Sequence, residues 1–261
     1  MDGSGRGGEL VVVGTGINLV VQTTLEAIDC IKRADKVFHL AMGPTEAWLR
    51  RLNPSAETLR DCYAPGKPRD QSYRQMVERI VSAVRAGAYV CAAFYGHPGV
   101  FVDPAHSAIR RARREGFRAR MLPGISAEDC LFADLGVDPV VSGCQSFEAT
   151  DFLMYRRRID PTTALILWQA GLLGEPSLPP PDGSRAARLE RLVTALRSYY
   201  DARHPVVLYE AAEFPGCIPS IKRISLGRLP KVGVRPMVTV YVPPKPQRRP
   251  DPAIMRWFDE R

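Results

Sequence analysis

Through the first half of the chain, short continuous apolar runs alternate with stretches of helical spacing. Residues 9–13 are an apolar run that breaks at Gly14-Thr15-Gly16, which predicts a strand and a tight turn. Thr23 or Thr24 then caps a helix carrying Leu25, Ile28, Ile31 and Ala34. Residues 36–40 predict a short strand, and Pro44-Thr45 opens a helix running to about Leu52. Between residues 72 and 87, Tyr73, Met76, Val77, Ile80, Val81 and Val84 fall on one helical stripe, which Gly87 stops. Residues 88–95 are a continuous apolar run of strand length, predicting burial on both faces, and Gly96-His97-Pro98-Gly99 breaks it. Asp103-Pro104 starts a helix with a basic outer side that ends near Glu115-Gly116. A strand over 118–122 stops at Pro123-Gly124, and Ser126 caps a further helix with Glu128 and Asp129 in its first turn. This alternation predicts a parallel α/β sheet.

The second half is less regular. Residues 163–168 predict a strand ending at Gln169-Ala170-Gly171, residues 174–184 a Pro-rich loop, and residues 185–201 an amphipathic helix. Residues 205–209 and 237–242 read as strands, and the two halves do not repeat each other. After Pro243-Pro244 the Pro- and Arg-rich tail, residues 245–261, reads as an extension from the fold.

Composition narrows the class. With 261 residues, 45% apolar and 25% charged, the chain is globular rather than disordered or fibrous. No apolar run approaches the roughly 18 residues of a membrane span. The first eight residues lack a signal peptide's apolar core and read as a flexible leader, so a cytoplasmic protein is expected. Six cysteines at irregular spacings, with no Cys-x-x-Cys, predict buried reduced thiols and no metal site. The net charge of +8 comes largely from Arg spread along helices, which reads as solvated helix faces rather than a nucleic-acid surface.

Candidate chemistry gathers at strand ends, where open α/β sheets bind ligands. Gly14-Thr15-Gly16, Tyr95-Gly96-His97-Pro98-Gly99, Pro123-Gly124-Ile125-Ser126 and Gln169-Ala170-Gly171 each follow an apolar strand. Each alone reads as a turn; four together predict a cofactor cleft, because glycine lets backbone approach a ligand closely. The cofactor is not a dinucleotide, since Ile17-Asn18-Leu19 supplies no third fingerprint glycine, and neither a P-loop nor a Gly-x-Ser-x-Gly elbow is present.

The run from Phe94 through Tyr95-Gly96-His97-Pro98-Gly99 to Val102 resembles the cleft motif of borosin peptide-backbone α-N-methyltransferases, which belong to the tetrapyrrole-methylase superfamily. So does the stretch Arg118 to Leu135, containing Leu122-Pro123-Gly124-Ile125-Ser126-Ala127-Glu128-Asp129. The resemblance runs from about Leu10, through the opening Val12-Val13-Gly14-Thr15-Gly16-Ile17, to the closing Tyr241-Val242-Pro243-Pro244. It implies a two-lobed tetrapyrrole-methylase-like α/β fold: a mostly parallel N-terminal sheet (residues 1–122), a mixed C-terminal sheet (residues 123–244) and S-adenosylmethionine (SAM) in the cleft between them. S-adenosylhomocysteine is the implied product. The implied cofactor contacts are Tyr95, His97, Val100 and Phe101 on one loop, Ser126 and Ala127 at a helix N-terminus facing the methionyl carboxylate, and Gln169, Tyr209, Met237 and Thr239 around the adenosine.

The implied reaction moves a methyl group to a backbone amide nitrogen, a poor nucleophile because its lone pair is delocalised into the carbonyl. A general base and a cationic or hydrogen-bonding group at the amide oxygen answer that difficulty. The stretch Tyr63-Ala64-Pro65-Gly66-Lys67-Pro68-Arg69-Asp70-Gln71-Ser72-Tyr73 resembles the family's catalytic segment. By resemblance Arg69 polarises the amide oxygen or holds a phenolate, Tyr63 or Tyr73 accepts the proton, and Tyr95 orients the amide. Taken alone, Tyr73 reads as a core tyrosine on its helix stripe and Arg69 as a surface charge. The family's further tyrosine, three residues before Tyr63, is Arg60 here.

No apolar core peptide follows Pro244, which predicts a split system acting on a separate precursor peptide. A homodimer, or a heterotetramer with two precursors, is the implied assembly, with neither nucleic acid nor membrane as partner. The alternative is a SAM-dependent methyltransferase of a small molecule such as a tetrapyrrole.

Overall fold

The computed structural model describes residues 7–175, 185–246 and 250–259. The chain divides into two compact units: Met1–Leu135 with Glu175–Pro181 and Ala211–Pro219, and Gly136–Gly174 with Asp182–Glu210 and Ser220–Arg261.

The first unit holds five parallel strands, β1 (Glu9–Gly14), β2 (Lys36–His39), β3 (Ala56–Thr58), β4 (Tyr89–Phe94) and β5 (Arg118–Met121), in the order β3-β2-β4-β1-β5. Its helices are α1 (Leu25–Arg33), α2 (Gly43–Leu52), α3 (Arg69–Arg85), α4 (Asp103–Arg114) and α5 (Ala127–Leu135). Strand side chains alternate between two cores. Leu10, Val12, Phe38, Val90, Ala92 and Phe94 pack with α3 and α4, while Val11, Val13, Val37, Cys91 and Ala93 pack with α1 and α2. Burial on both faces is why these strands read as unbroken apolar runs. Helix α3 buries Met76, Val77, Ile80, Val81 and Val84 as its stripe predicts, each worth about 2 kcal/mol of apolar transfer. Helix α1 departs from expectation at two residues: Leu25 is 86% exposed and Ile28 is only half-buried, outside the core. Thr24 caps the helix, accepting the Ala27 N–H at 3.1 Å, and the buried stripe is Ala27, Cys30, Ile31 and Ala34.

The second unit holds a mixed sheet of β6 (Cys144–Glu148), β7 (Ala164–Trp168), β8 (Pro205–Glu210), β9 (Ser220–Ser225) and β10 (Thr239–Val242), in the order β6-β7-β10-β8-β9. Strands β6 and β7 are parallel and the other pairs antiparallel. The helices are α6 (Pro139–Ser142), α7 (Ala149–Met154), α8 (Arg185–Leu196) and α9 (Pro252–Asp259). Leu189, Leu192, Val193 and Leu196 of α8 pack on Leu165, Leu167, Val206, Leu208 and Val240. The residues of the predicted 174–184 loop lie mostly outside the described residues. The tail is not simply extended: Pro252 starts α9, and the Asp251 carboxylate accepts the Ala253 N–H at 2.8 Å.

All six cysteines are free, but only Cys30, Cys62, Cys91 and Cys130 are buried; Cys144 is half-buried and Cys217 exposed. Among the described residues no helix is long and apolar enough to cross a membrane.

Candidate active site

In the first unit the carboxyl ends of β1, β4 and β5 meet backbone to backbone. Gly16 and Gly96 form an isolated antiparallel bridge, with the Gly96 N–H donating to Gly16 O at 2.9 Å. The Thr15 N–H donates to Phe94 O at 2.8 Å, and Thr23 Oγ1 donates to Thr15 O at 2.7 Å. A Cβ added at Gly14 would sit 2.2 Å from Gly96 O, and one at Gly124 would sit 3.3 Å from the Gly14 Cα. Three of the four turns singled out in the sequence therefore form one tight cluster. Gln22 reinforces it, its Oε1 accepting the N–H groups of Ile17 and Asn18 at 2.9 and 2.8 Å.

The loop after β4 leaves Tyr95, Val100 and Phe101 37–49% exposed, an apolar rim on a backbone-lined turn. Phe101 has φ of +57°, a strained conformation for a bulky residue. His97 Nδ1 accepts the Gly99 N–H at 2.9 Å, which fixes the loop rather than leaving that nitrogen for proton transfer. The partial burial of Tyr95, and secondarily the Glu213 carboxylate, push its phenol above its usual range. Glu213 belongs to the same unit, its carbonyl accepting the Leu19 N–H at 2.9 Å.

Tyr63, Arg69 and Tyr73 come together. The rings of Tyr63 and Tyr73 meet edge to face, centroids 6.4 Å apart, and pack against the core around Phe94. Burial raises the Tyr63 phenol well above its ordinary range, helped by Tyr73 beside it and opposed by the Arg69 charge. Arg69 stands in the first turn of α3, where one Nη donates to Glu175 O at 2.7 Å and the buried Nε has no protein partner among the described residues. Arg79, further along α3, holds the segment leading into Tyr63. It bonds the carboxylates of Asp61 (2.6 Å) and Glu57 and the Thr58 carbonyl (3.1 Å). Tyr95 occupies the separate β4 loop, one residue beyond Phe94.

Ser126 caps α5 as its sequence predicts, and Asp129 caps it in return. Asp129 accepts both the Ser126 N–H and Oγ–H at 2.7 Å, while Ser126 Oγ accepts the N–H groups of Glu128 and Asp129 at 3.2 Å. This reciprocal capping box engages those amides and places a carboxylate at the helix end.

In the second unit, Gln169, Tyr209 and Thr239 share one end of the sheet. Gln169 follows β7 in a left-handed conformation (φ +53°), and the Ala170 N–H donates to Val238 O at 3.0 Å. Thr239 pairs with Tyr209 in register. Both are buried, whereas Met237 is 55% exposed. A Cβ at Gly171 would lie 2.0 Å from Arg235 O, so that glycine is there for backbone approach within the protein.

Gln22, Arg79, Asp129, Glu175 and Glu213 were missed as site residues. Only Asp129 had a local signal, its spacing from Ser126. Gln22 accepts from amides only four and five residues away but at no recognisable motif spacing, and Arg79, Glu175 and Glu213 depend on contacts distant in sequence.

The tetrapyrrole (corrin/porphyrin) methylase family profile matches residues 9–215. The chain is 42% identical over 256 residues to the "methyltransferase/ribosomally synthesized cyclic peptide omphalotin A precursor" of Omphalotus olearius, covering 96% of this chain and 61% of that protein. Identity is likewise 42% to the gymnopeptides precursor methyltransferase of Gymnopus fusipes, with the same coverage. The chain thus spans about three fifths of the length of these relatives. By fold it is similar to the uroporphyrin-III C-methyltransferase of Thermus thermophilus, with TM-score 0.64, 18% identity, and 92% and 93% of the two chains covered.

Proposed function

Because the chain belongs to the tetrapyrrole (corrin/porphyrin) methylase family, we propose that it is a SAM-dependent methyltransferase acting on backbone amide nitrogens of a ribosomally made precursor peptide. The observation that carries the reading is the Tyr63–Tyr73 pair with Arg69 beside it. Relatives at 42% identity, named as methyltransferase and cyclic-peptide precursor together, support the substrate class.

The first unit's residues fit the cofactor. The glycine cluster packs the turns after β1, β4 and β5 against one another and so fixes the loop after β4, whose exposed Tyr95, Val100 and Phe101 suit an apolar or aromatic ligand. Tyr95, His97, Val100, Phe101, Ser126 and Ala127 would hold it. In the second unit, Gln169, Tyr209, Met237 and Thr239 are the residues the family resemblance would assign to adenosine; Tyr209 and Thr239 are buried there and Met237 is exposed. When bound, SAM supplies an electrophilic methyl group on a cationic sulfur.

The remaining chemistry belongs to the chain. Tyr63, held neutral, donates to Tyr73 or to the amide oxygen. Arg69 places positive charge where the imidate oxygen develops, and Tyr73, entering as its phenolate, takes the amide proton and ends as the neutral phenol, while the nitrogen gains the methyl group and leaves the cofactor as the neutral thioether S-adenosylhomocysteine. Tyr95 orients the amide. The reading extends to a precursor presented in trans, and to a cytoplasmic homodimer or a heterotetramer with two precursors. Tyr73→Phe and Arg69→Ala test it: each lowers methyl transfer by about 100-fold or more while SAM binding persists. Unchanged turnover refutes the assignment.

A further inference from the structure

The net charge is unevenly divided. The second unit carries 18 Lys and Arg against 11 Asp and Glu, and the first 18 against 17. Much of the excess lies in residues 214–250, which contain eight Lys and Arg and no Asp or Glu. Two of these are engaged: Arg235 pairs with Glu210 at 2.7 Å, and Lys245 donates to the Tyr199 carbonyl. Lys222, Arg223, Arg228 and Lys231 are exposed and make no ion pair among the described residues.

Their placement adds a second feature. Lys222 and Arg223 lie on β9, the last strand in the sheet order, which pairs with β8 along one side only. Arg228 and Lys231 lie in the 3-10 turn, Leu226–Lys231, that directly follows β9. A single lysine is enough to blunt an edge strand against aggregation. Four uncompensated cations on an edge and its following turn exceed that need, and they complement an acidic partner with an extended backbone.

We infer that the outer edge of β9 is a docking site for an acidic, extended segment of the precursor peptide, which adds as a further strand beside Lys222, Arg223, Arg228 and Lys231. Main-chain hydrogen bonds to β9 give register, and the cations select carboxylates. Docking away from the reacting amide raises the local concentration of the segment to be methylated. The inference rests on the peptide-substrate reading, but its test does not require methyl transfer.

The experiment uses the full chain and a fluorescein-labelled ten-residue peptide alternating Glu with Val, followed by fluorescence anisotropy at physiological salt. Binding is expected, weakened about tenfold or more by the Lys222→Glu/Arg223→Glu double variant. It is also expected to be lost for a peptide in which prolines replace the valines and remove alternate N–H donors. Absence of wild-type binding overturns the inference, as does equal affinity of the variant or of the proline peptide. So does tighter binding of a single-stranded RNA of equal charge, which marks the patch as a nucleic-acid surface. Methylation of an uncharged apolar peptide at the same rate as one bearing the acidic segment leaves the proposed function standing and removes the docking site.

Discussion

Gly14→Ala is the substitution whose cost follows most directly from the geometry. The new methyl would lie 2.2 Å from the Gly96 carbonyl oxygen and 2.8 Å from Pro98 Cδ. Both obstacles are backbone or ring atoms, so neither can rotate away. Ordinary contact begins near 3.4 Å, so the β1 and β4 loops must part by about 1 Å, the difference between 3.4 and 2.2 Å. Overpacking of this kind costs about 1–3 kcal/mol. The same shift moves Tyr95 and His97, and a displacement near 1 Å in a positioned site costs on the order of 100-fold. Gly43→Ala is the control. Its φ is +51° with nothing within 4 Å of the added Cβ, so it carries a backbone penalty of about 1–2 kcal/mol and no clash. Urea unfolding and calorimetric titration of SAM, run on both variants, separate the effects. Both lose stability, but only Gly14→Ala loses SAM affinity, by about tenfold or more. Wild-type affinity in Gly14→Ala refutes the claim that this glycine cluster shapes the cofactor loop.

Other perturbations give distinct signatures. Arg79→Met frees the segment leading into Tyr63 from Asp61 and Thr58, so about 1–2 kcal/mol of stability is lost in urea titration, and kcat falls more than KM changes. His39 is fully buried, and burial lowers its pKa below the ordinary 6.5. The unfolded chain then binds a proton that the folded chain refuses, so stability is full above about pH 6.5 and falls as pH drops toward the folded value. His39→Leu should flatten that part of the stability–pH curve, and an unchanged slope contradicts the assignment. With a thiol-reactive disulfide, Cys217 should react first, while Cys30, Cys62, Cys91 and Cys130 stay silent until the chain unfolds.

What the sequence could reveal depended on whether the relevant signal was local. Strand β4 and helix α3 were legible because their side chains face cores whose spacing is written in consecutive residues. Strands β6 and β9 were not, because edge strands such as Ser220–Ser225 are only partly buried and show polar residues at most positions. Helix α9 hid behind a Pro- and Arg-rich composition, although Asp251-Pro252 is an ordinary helix start. Leu25 was misplaced because the cap at Thr24 sets the phase of α1, and that phase buries Ala27 and Cys30 instead. At the candidate site, the glycine turns were visible as turns, but their mutual packing is tertiary. The Tyr63–Tyr73 contact joins the residue that follows the 3-10 turn Arg60–Cys62 to α3, and Arg69 reaches Glu175, 106 residues away. Neither contact has a periodicity to betray it, and family resemblance supplied those residues.

The most direct test of the central claim is methyl transfer itself. The purified chain is incubated with SAM and a separately made apolar peptide fused to its precursor segment, and the peptide is read by tandem mass spectrometry. Successive one-methyl increments that fragmentation places on backbone nitrogens are the predicted result. An unmodified peptide, with SAM bound and the peptide in complex, would contradict the account, as would methyl groups confined to side chains.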